Sequence, residues 1–268
     1  MKNPSAAVGA IVFLALILTS LIGPIFVQSP FEQNTSIRLR PPSFQHPFGT
    51  DDFGRDQLSR MVIGARYSIT AGVIAVALGL VGGMFLGAIS GFFGGYVDKA
   101  AMAVCDILLS FPSVLLAMAF VMVMEPGVYT PMLAVGICSI PVFARLIRAQ
   151  FMSLRESSFI EAVRSTGASN MRIMFRHMLP NSLGPVVVQA TLRIGSSILL
   201  ASTLSFLGLG VQPPTPEWGA MLSAARNYLW TAPHLAIIPG LAITITVISV
   251  NLLGDALRDF LDPRTRGG

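Results

Sequence analysis

Six apolar runs divide the chain, at 6–27, 67–90, 100–124, 131–149, 183–210 and 234–257. Each is close to the roughly 20 residues a helix needs to cross a bilayer. The pattern predicts an all-α integral membrane protein with six spanning helices. The first run follows a very short basic start. It is longer than the apolar core of a typical signal peptide and lacks a clear small-residue cleavage site, so it reads as an anchor.

The polar stretches between the runs are not uniform. Residues 28–66 are turn-rich, with Pro41, Pro42, Pro47, Gly49 and Gly54. Within them, 56–66 predicts a short interfacial helix carrying Leu58, Met61 and Val62 on one face. Residues 211–233 open with Pro213, Pro214, Thr215 and Pro216, which cannot form regular helix. That stiff run suits a lid or a partner-contact surface, or a plain connector. In the second run Gly79, Gly83 and Gly87 recur every four residues, which predicts close helix packing on one face.

A charged, helix-forming segment between spans lies at 155–180. The pattern predicts one short helix over 155–166, stopped by Gly167, since glycine accepts the left-handed conformation a helix end requires. Ser169 or Asn170 then caps a second helix. Met171, Met174, Phe175 and Met178 follow at helical spacing as one apolar stripe, with Arg172 and Arg176 off it, and Pro180 marks the end. A methionine-rich knob of this kind fits a groove on another protein. It equally fits a helix lying on a lipid leaflet.

Composition sharpens this. Charged residues are 12% of the chain and mean hydropathy is +0.70, where soluble domains are about 25% charged. A soluble enzyme is excluded, and no basic run interleaved with aromatics suggests nucleic acid. With the N-terminus inside, eleven cations lie on the inner side, six on the outer side, and Arg193 lies within a span. That asymmetry places both termini in the cytoplasm. Lys2 and Lys99 are the only lysines, and neither sits in the Gly-Lys-Ser/Thr context of a P-loop. Cys105 and Cys138 lie in apolar runs and read as buried thiols, and His46, His177 and His234 are scattered, so no metal site is predicted. Asp106, Arg193 and Asp255 fall in or at the edges of spans, where an ionisable group faces protein or water. Asp106 and Asp255 suggest structural pairing, Asp255 with Arg258. Arg193 suits either a translocation path or a pairing with a partner subunit, and Gln189, Ser196, Ser197 and Thr203 share its span.

The segment Glu161-Ala162-Val163, then Gly167, then His177-Met178-Leu179-Pro180 resembles the EAA loop of binding-protein-dependent ABC importer permeases. Residues 46–56, 204–219 and 251–263 narrow the resemblance to the C-type permease subunits of dipeptide, oligopeptide and nickel importers. It covers about 40–263. Val163 and His177 depart mildly from the family pattern. The resemblance implies a six-transmembrane-helix type I ABC importer permease fold. It divides the chain into a first helix and outer loop (1–65), a core of five spans (66–257) with a coupling loop at 150–182, and a cytoplasmic tail (258–268). It implies a non-catalytic subunit in a bacterial or archaeal cell (inner) membrane, importing di- or oligopeptides, with glutathione, nickel or a metal chelate as alternatives. A secondary transporter is the rival of another class. The implied partners are a B-type permease in a heterodimer, two ATPase subunits that bind ATP and magnesium, and an external solute-binding protein. This chain itself would bind no cofactor. The coupling residues would be Glu161, Ala162, Gly167, Ser169, Met171, Met174, Phe175, Leu179 and Pro180. Arg193, Gln189 and Ser197 would line the path.

Overall fold

The computed structural model describes residues 4–125 and 127–261, and the described residues are helical with connecting turns. Five of the helices are long and apolar enough to cross a membrane, six if one bent pair counts as a single span. Helix α1 covers Pro4–Ile22 and α2 covers Gln57–Phe93. The interfacial helix expected at 56–66 is not separate. Asp56 caps α2 by accepting from the Ser59 amide at 2.7 Å, and no breaker interrupts the helix before its apolar run.

The third apolar run is broken. It forms α3 (Gly95–Ser110) and α4 (Ser113–Val123), bent by 99°. Pro112 explains the break: the residue before a proline is driven from helical to extended backbone, and Phe111 adopts φ −89°, ψ 141°. Helix α5 runs Thr130–Arg155 and packs against α2 along its length. Small residues allow that approach. A methyl group at Gly79 would sit 2.6 Å from Ser139 Cβ, and one at Gly83 would sit 2.8 Å from the Ala144 amide nitrogen.

Helix α6 covers Ser158–Ser165, and α7 covers Asn170–Arg172. A π-helical stretch, Ile173–Met178, then leads without interruption into α8, Leu179–Phe206. Residues Asn170–Phe206 therefore form one continuous span, and Pro180 does not end it. Backbone oxygens near Pro180 find other donors: the Asn181 side chain donates to the His177 carbonyl at 2.6 Å, and Ser182 Oγ donates to that of Met178 at 2.9 Å. Helices α9 (Trp218–Ala225) and α10 (His234–Leu261) complete the chain. The divisions drawn from the sequence at 65/66 and 257/258 fall inside α2 and α10, and residues 262–268 lie outside the described ones.

The apolar core lies between α2, α4, α5 and α8, with a second cluster under the α6–α7 elbow. Cys105 and Cys138 are buried free thiols.

Candidate functional site: an exposed elbow opposite a hydrogen-bonded cap

At one end of the bundle, α5, α6 and the start of α8 make an elbow. Arg155 ends α5, so the helix expected from 155 begins instead at Ser158, capped by Ser157. Gly167 has φ +76° with no neighbouring atom within 4 Å of where a Cβ would sit. The turn thus depends on glycine's tolerance of positive φ, not on lack of space. Ser169 Oγ accepts from the Arg172 amide at 3.4 Å and opens the next helix. Phe159 and His177 meet edge-to-face at 5.8 Å between ring centroids, bridging the two arms. The cleft between the arms, about 560 Å³, is lined by Phe159, Ala162, Val163, Arg172, Arg176 and His177 among others.

The expected single apolar stripe is split. Met174 is 5% exposed and Met178 is fully buried, packed with Ile147, Phe151, Ile160 and Ile173. Met171 and Phe175 point outward at 63% and 55% exposure. The π-helical stretch bonds i to i+5, so residues within it turn less per residue than a 3.6-residue pattern assumes. Glu161, Ala162, Gly167, Ser169 and Pro180 are exposed, and Leu179 is half-buried against the core beneath. The elbow thus gathers Glu161, Ala162, Gly167, Ser169, Met171 and Phe175 outside, and Met174 and Leu179 within.

Along α8, Arg193 is half-buried and its Nε has no hydrogen-bond partner. It lies within electrostatic reach of Cys138 on α5. Ser197 is 2% exposed and enclosed within the chain. Gln189 lines a cleft of about 510 Å³ with Leu146, Leu192 and Arg258. Asp106 does pair, with Arg145 of α5. Asp255 makes no ion pair with Arg258 among the described residues.

The opposite end is a polar cap that joins sequence-distant segments. Glu217 is 3% exposed and caps α9, accepting from the Gly219 amide at 3.0 Å and the Ala220 amide at 2.9 Å. It also accepts from Ser68 Oγ at 3.0 Å, which ties α9 to α2. Arg55 donates to Asp51 at 2.7 Å, and Arg60 Nη1 reaches the Pro30 carbonyl at 3.1 Å and the Pro214 carbonyl at 3.3 Å. Burial, then the neighbouring Asp51 charge, push the Asp52 carboxyl above its usual range against the pull of Arg55. The proline-rich run is thus tied to the cap through the Pro214 carbonyl and the buried Pro216, while the side chains of Pro213 and Pro214 stay exposed. The sequence reading missed Glu217, although an acid just before a short apolar helix is a capping signal.

Comparison with known proteins agrees with this architecture. A family model described as "Binding-protein-dependent transport system inner membrane component" matches residues 83–267, and one described as "N-terminal TM domain of oligopeptide transport permease C" matches residues 1–42. The dipeptide transport system permease protein DppC of Alkalihalophilus pseudofirmus is 46% identical over 266 residues, 99% of this chain and 88% of that protein. The glutathione transport system permease protein GsiD of Escherichia coli O1:K1 is 52% identical over 226 residues, 84% of this chain and 75% of that protein. In fold alone, the chain resembles the inward-facing MetNI methionine ABC transporter. There the TM-score is 0.61 at 18% identity, over 76% of this chain and 96% of that one.

Proposed function

This chain belongs to the binding-protein-dependent transport system inner membrane component family, and we propose that it forms half of a translocation path for di- and oligopeptides. As a member it is a multi-pass membrane permease subunit of an ABC importer, and ATP hydrolysis belongs to separate subunits. The other half is a B-type permease. Two ATPases binding ATP and magnesium sit under the elbow, and an external solute-binding protein delivers cargo to the cap.

The observation that carries this reading is the elbow itself. An exposed, glycine-hinged pair of helices follows directly from α5 and runs directly into α8. A push on Glu161, Ala162, Ser169, Met171 or Phe175 reaches both helices through continuous backbone. Met174 and Leu179 fasten the elbow to the core from within. This arrangement supports docking over a passive leaflet helix, because a leaflet helix has no need of an open 560 Å³ cleft between its arms, edged by Arg172, Arg176 and His177.

Peptide cargo is supported by the 46% identity to a dipeptide permease across nearly the full chain. The glutathione permease relative fits the same class, since glutathione is a small peptide with free carboxylates. Arg193, whose buried Nε lacks a partner, supports a path for such anionic cargo by adding positive charge on α8. Gln189 lies nearer the elbow, and the enclosed Ser197 acts only by supporting that wall. In this orientation the elbow and both termini are cytoplasmic.

The test is reconstitution of this chain with its permease, ATPase and binding-protein partners in liposomes. ATP-dependent uptake of a labelled dipeptide is expected, with ATPase activity stimulated by the loaded binding protein. Failure of this chain to co-purify with an ATPase rejects the reading.

A further inference from the structure

Asp106 and Arg145 form an ion pair whose side chains are 60% and 50% exposed. Asp106 lies eleven residues into α3 and Arg145 ten residues before the end of α5. At 1.5 Å per residue both are about 15 Å from the elbow end of their helices. Both therefore lie well inside their helices, beyond the charged turns of Asp98, Lys99 and Arg148 nearer the elbow end. An exposed ion pair at that depth does not face lipid; it faces water or protein.

Two further observations bear on that face. The helix breaks one turn beyond Asp106, at Phe111–Pro112, with a 99° bend. Ser110, Phe111, Pro112 and Ser113 there are exposed. Non-helical backbone at membrane depth is tolerated where it is buried in protein or lines a wet cavity, and broken helices of this kind surround transporter cargo sites. Arg193 is the second observation. It lies within electrostatic range of Cys138, which is seven residues, about two helical turns, from Arg145 on α5.

We propose that the Asp106–Arg145 pair and the α3–α4 break form a cargo-contacting wall of the translocation path, suited to zwitterionic ligands. Asp106 receives the cargo's ammonium group and Arg145 its carboxylate. When the path is empty the two neutralise each other, which keeps the wall wet without fixing an unpaired charge. The Asp98–Arg148 pair lies nearer the elbow and is more enclosed, at 15% and 29% exposure, and serves as a structural tie between α3 and α5. This inference rests on the importer reading above.

The test uses the assembled complex carrying Cys105→Ala, Cys138→Ala and Ser110→Cys. Reaction rates are measured with a cationic and an anionic methanethiosulfonate. Both reagents are expected to react, because a thiol must ionise in water to attack. Adding Asp106→Asn should shift the rate ratio severalfold toward the anionic reagent, and adding Arg145→Gln severalfold toward the cationic one. Ser113→Cys, across the break, repeats the measurement if the first position disturbs assembly. No reaction in the resting or the ATP-bound complex means lipid or the partner permease covers this face, and overturns the proposal. So does reaction with a ratio blind to both charge changes. Dipeptide uptake by the unmodified complex is measured in parallel: its absence rejects the peptide-importer reading, whereas uptake alongside unreactive cysteines rejects only this wall.

Discussion

The indole Nε1 of Trp218 donates to the carbonyl oxygen of Met61 at 3.0 Å, across 157 positions of sequence. Trp218 is 1% exposed, and Gly64 lets it lie against α2: a Cβ there would be 3.2 Å from the ring. One bond and one missing side chain thus join the cap's second segment to the first turns of α2. The cap therefore moves with α2 rather than hanging from flexible loops.

Glu217 completes that junction, and its loss should be felt as stability. Glu217→Ala leaves Ser68 and two backbone amides of α9 without their acceptor. A cost of about 1–3 kcal/mol is expected for such buried, newly unpaired groups. A thermal melt of the detergent-purified complex checks it; an unchanged Tm contradicts a structural role.

Gly167 should matter for backbone reasons alone. With open space around it, Asn, which tolerates positive φ, should preserve the elbow, whereas Val should strain it by about 1–2 kcal/mol. Gly167→Val is expected to insert and assemble but to lose substrate-stimulated ATPase activity, with Gly167→Asn close to wild type. Equal activity in the two variants would remove the turn from the coupling argument.

Glycines that look alike in sequence should differ in tolerance. At Gly87 a methyl group would overlap the Ala144 carbonyl, while at Gly184 nothing lies within 4 Å. Gly87→Ala should lower complex yield and cost about 1–3 kcal/mol through forced separation of α2 and α5. Gly184→Ala should be neutral or slightly stabilising, since alanine is the better helix former. Melting curves of the two variants side by side decide this.

Orientation is open to direct labelling. Ser43 and Ser169 are both exposed, at opposite ends of the bundle. In a background of Cys105→Ala and Cys138→Ala, Ser43→Cys should react with an impermeant thiol reagent in intact cells and Ser169→Cys only after lysis. The reverse pattern would place the elbow, and the ATPases, on the other side.

The amino-acid sequence determined, by itself, the features that depend on neighbours along the chain. Apolar runs of bilayer length marked the spanning regions. A glycine between two helical patterns marked the elbow, and Gly167 is at positive φ there. Ser169 marked the start of the helix after it. Four-residue glycine spacing marked the face of α2 that meets α5. Each is a matter of hydropathy, backbone preference or helical period, and these act over a few residues.

The tertiary structure decided what depends on distant segments. Hydropathy averaged straight over Pro112, so one apolar run hid two helices at 99°. The side of the elbow that is buried depended on a π-helical stretch, whose extra residue per turn is stabilised by packing of Ile173 and Met178 against α5 and α6. Asp106 required a partner, but that it is Arg145, 39 residues away, follows only from how α3 lies on α5. Glu217 found its acceptor role 149 residues from Ser68 for the same reason. A local pattern states that a charge needs a partner; only the packed fold brings the partner within hydrogen-bond distance.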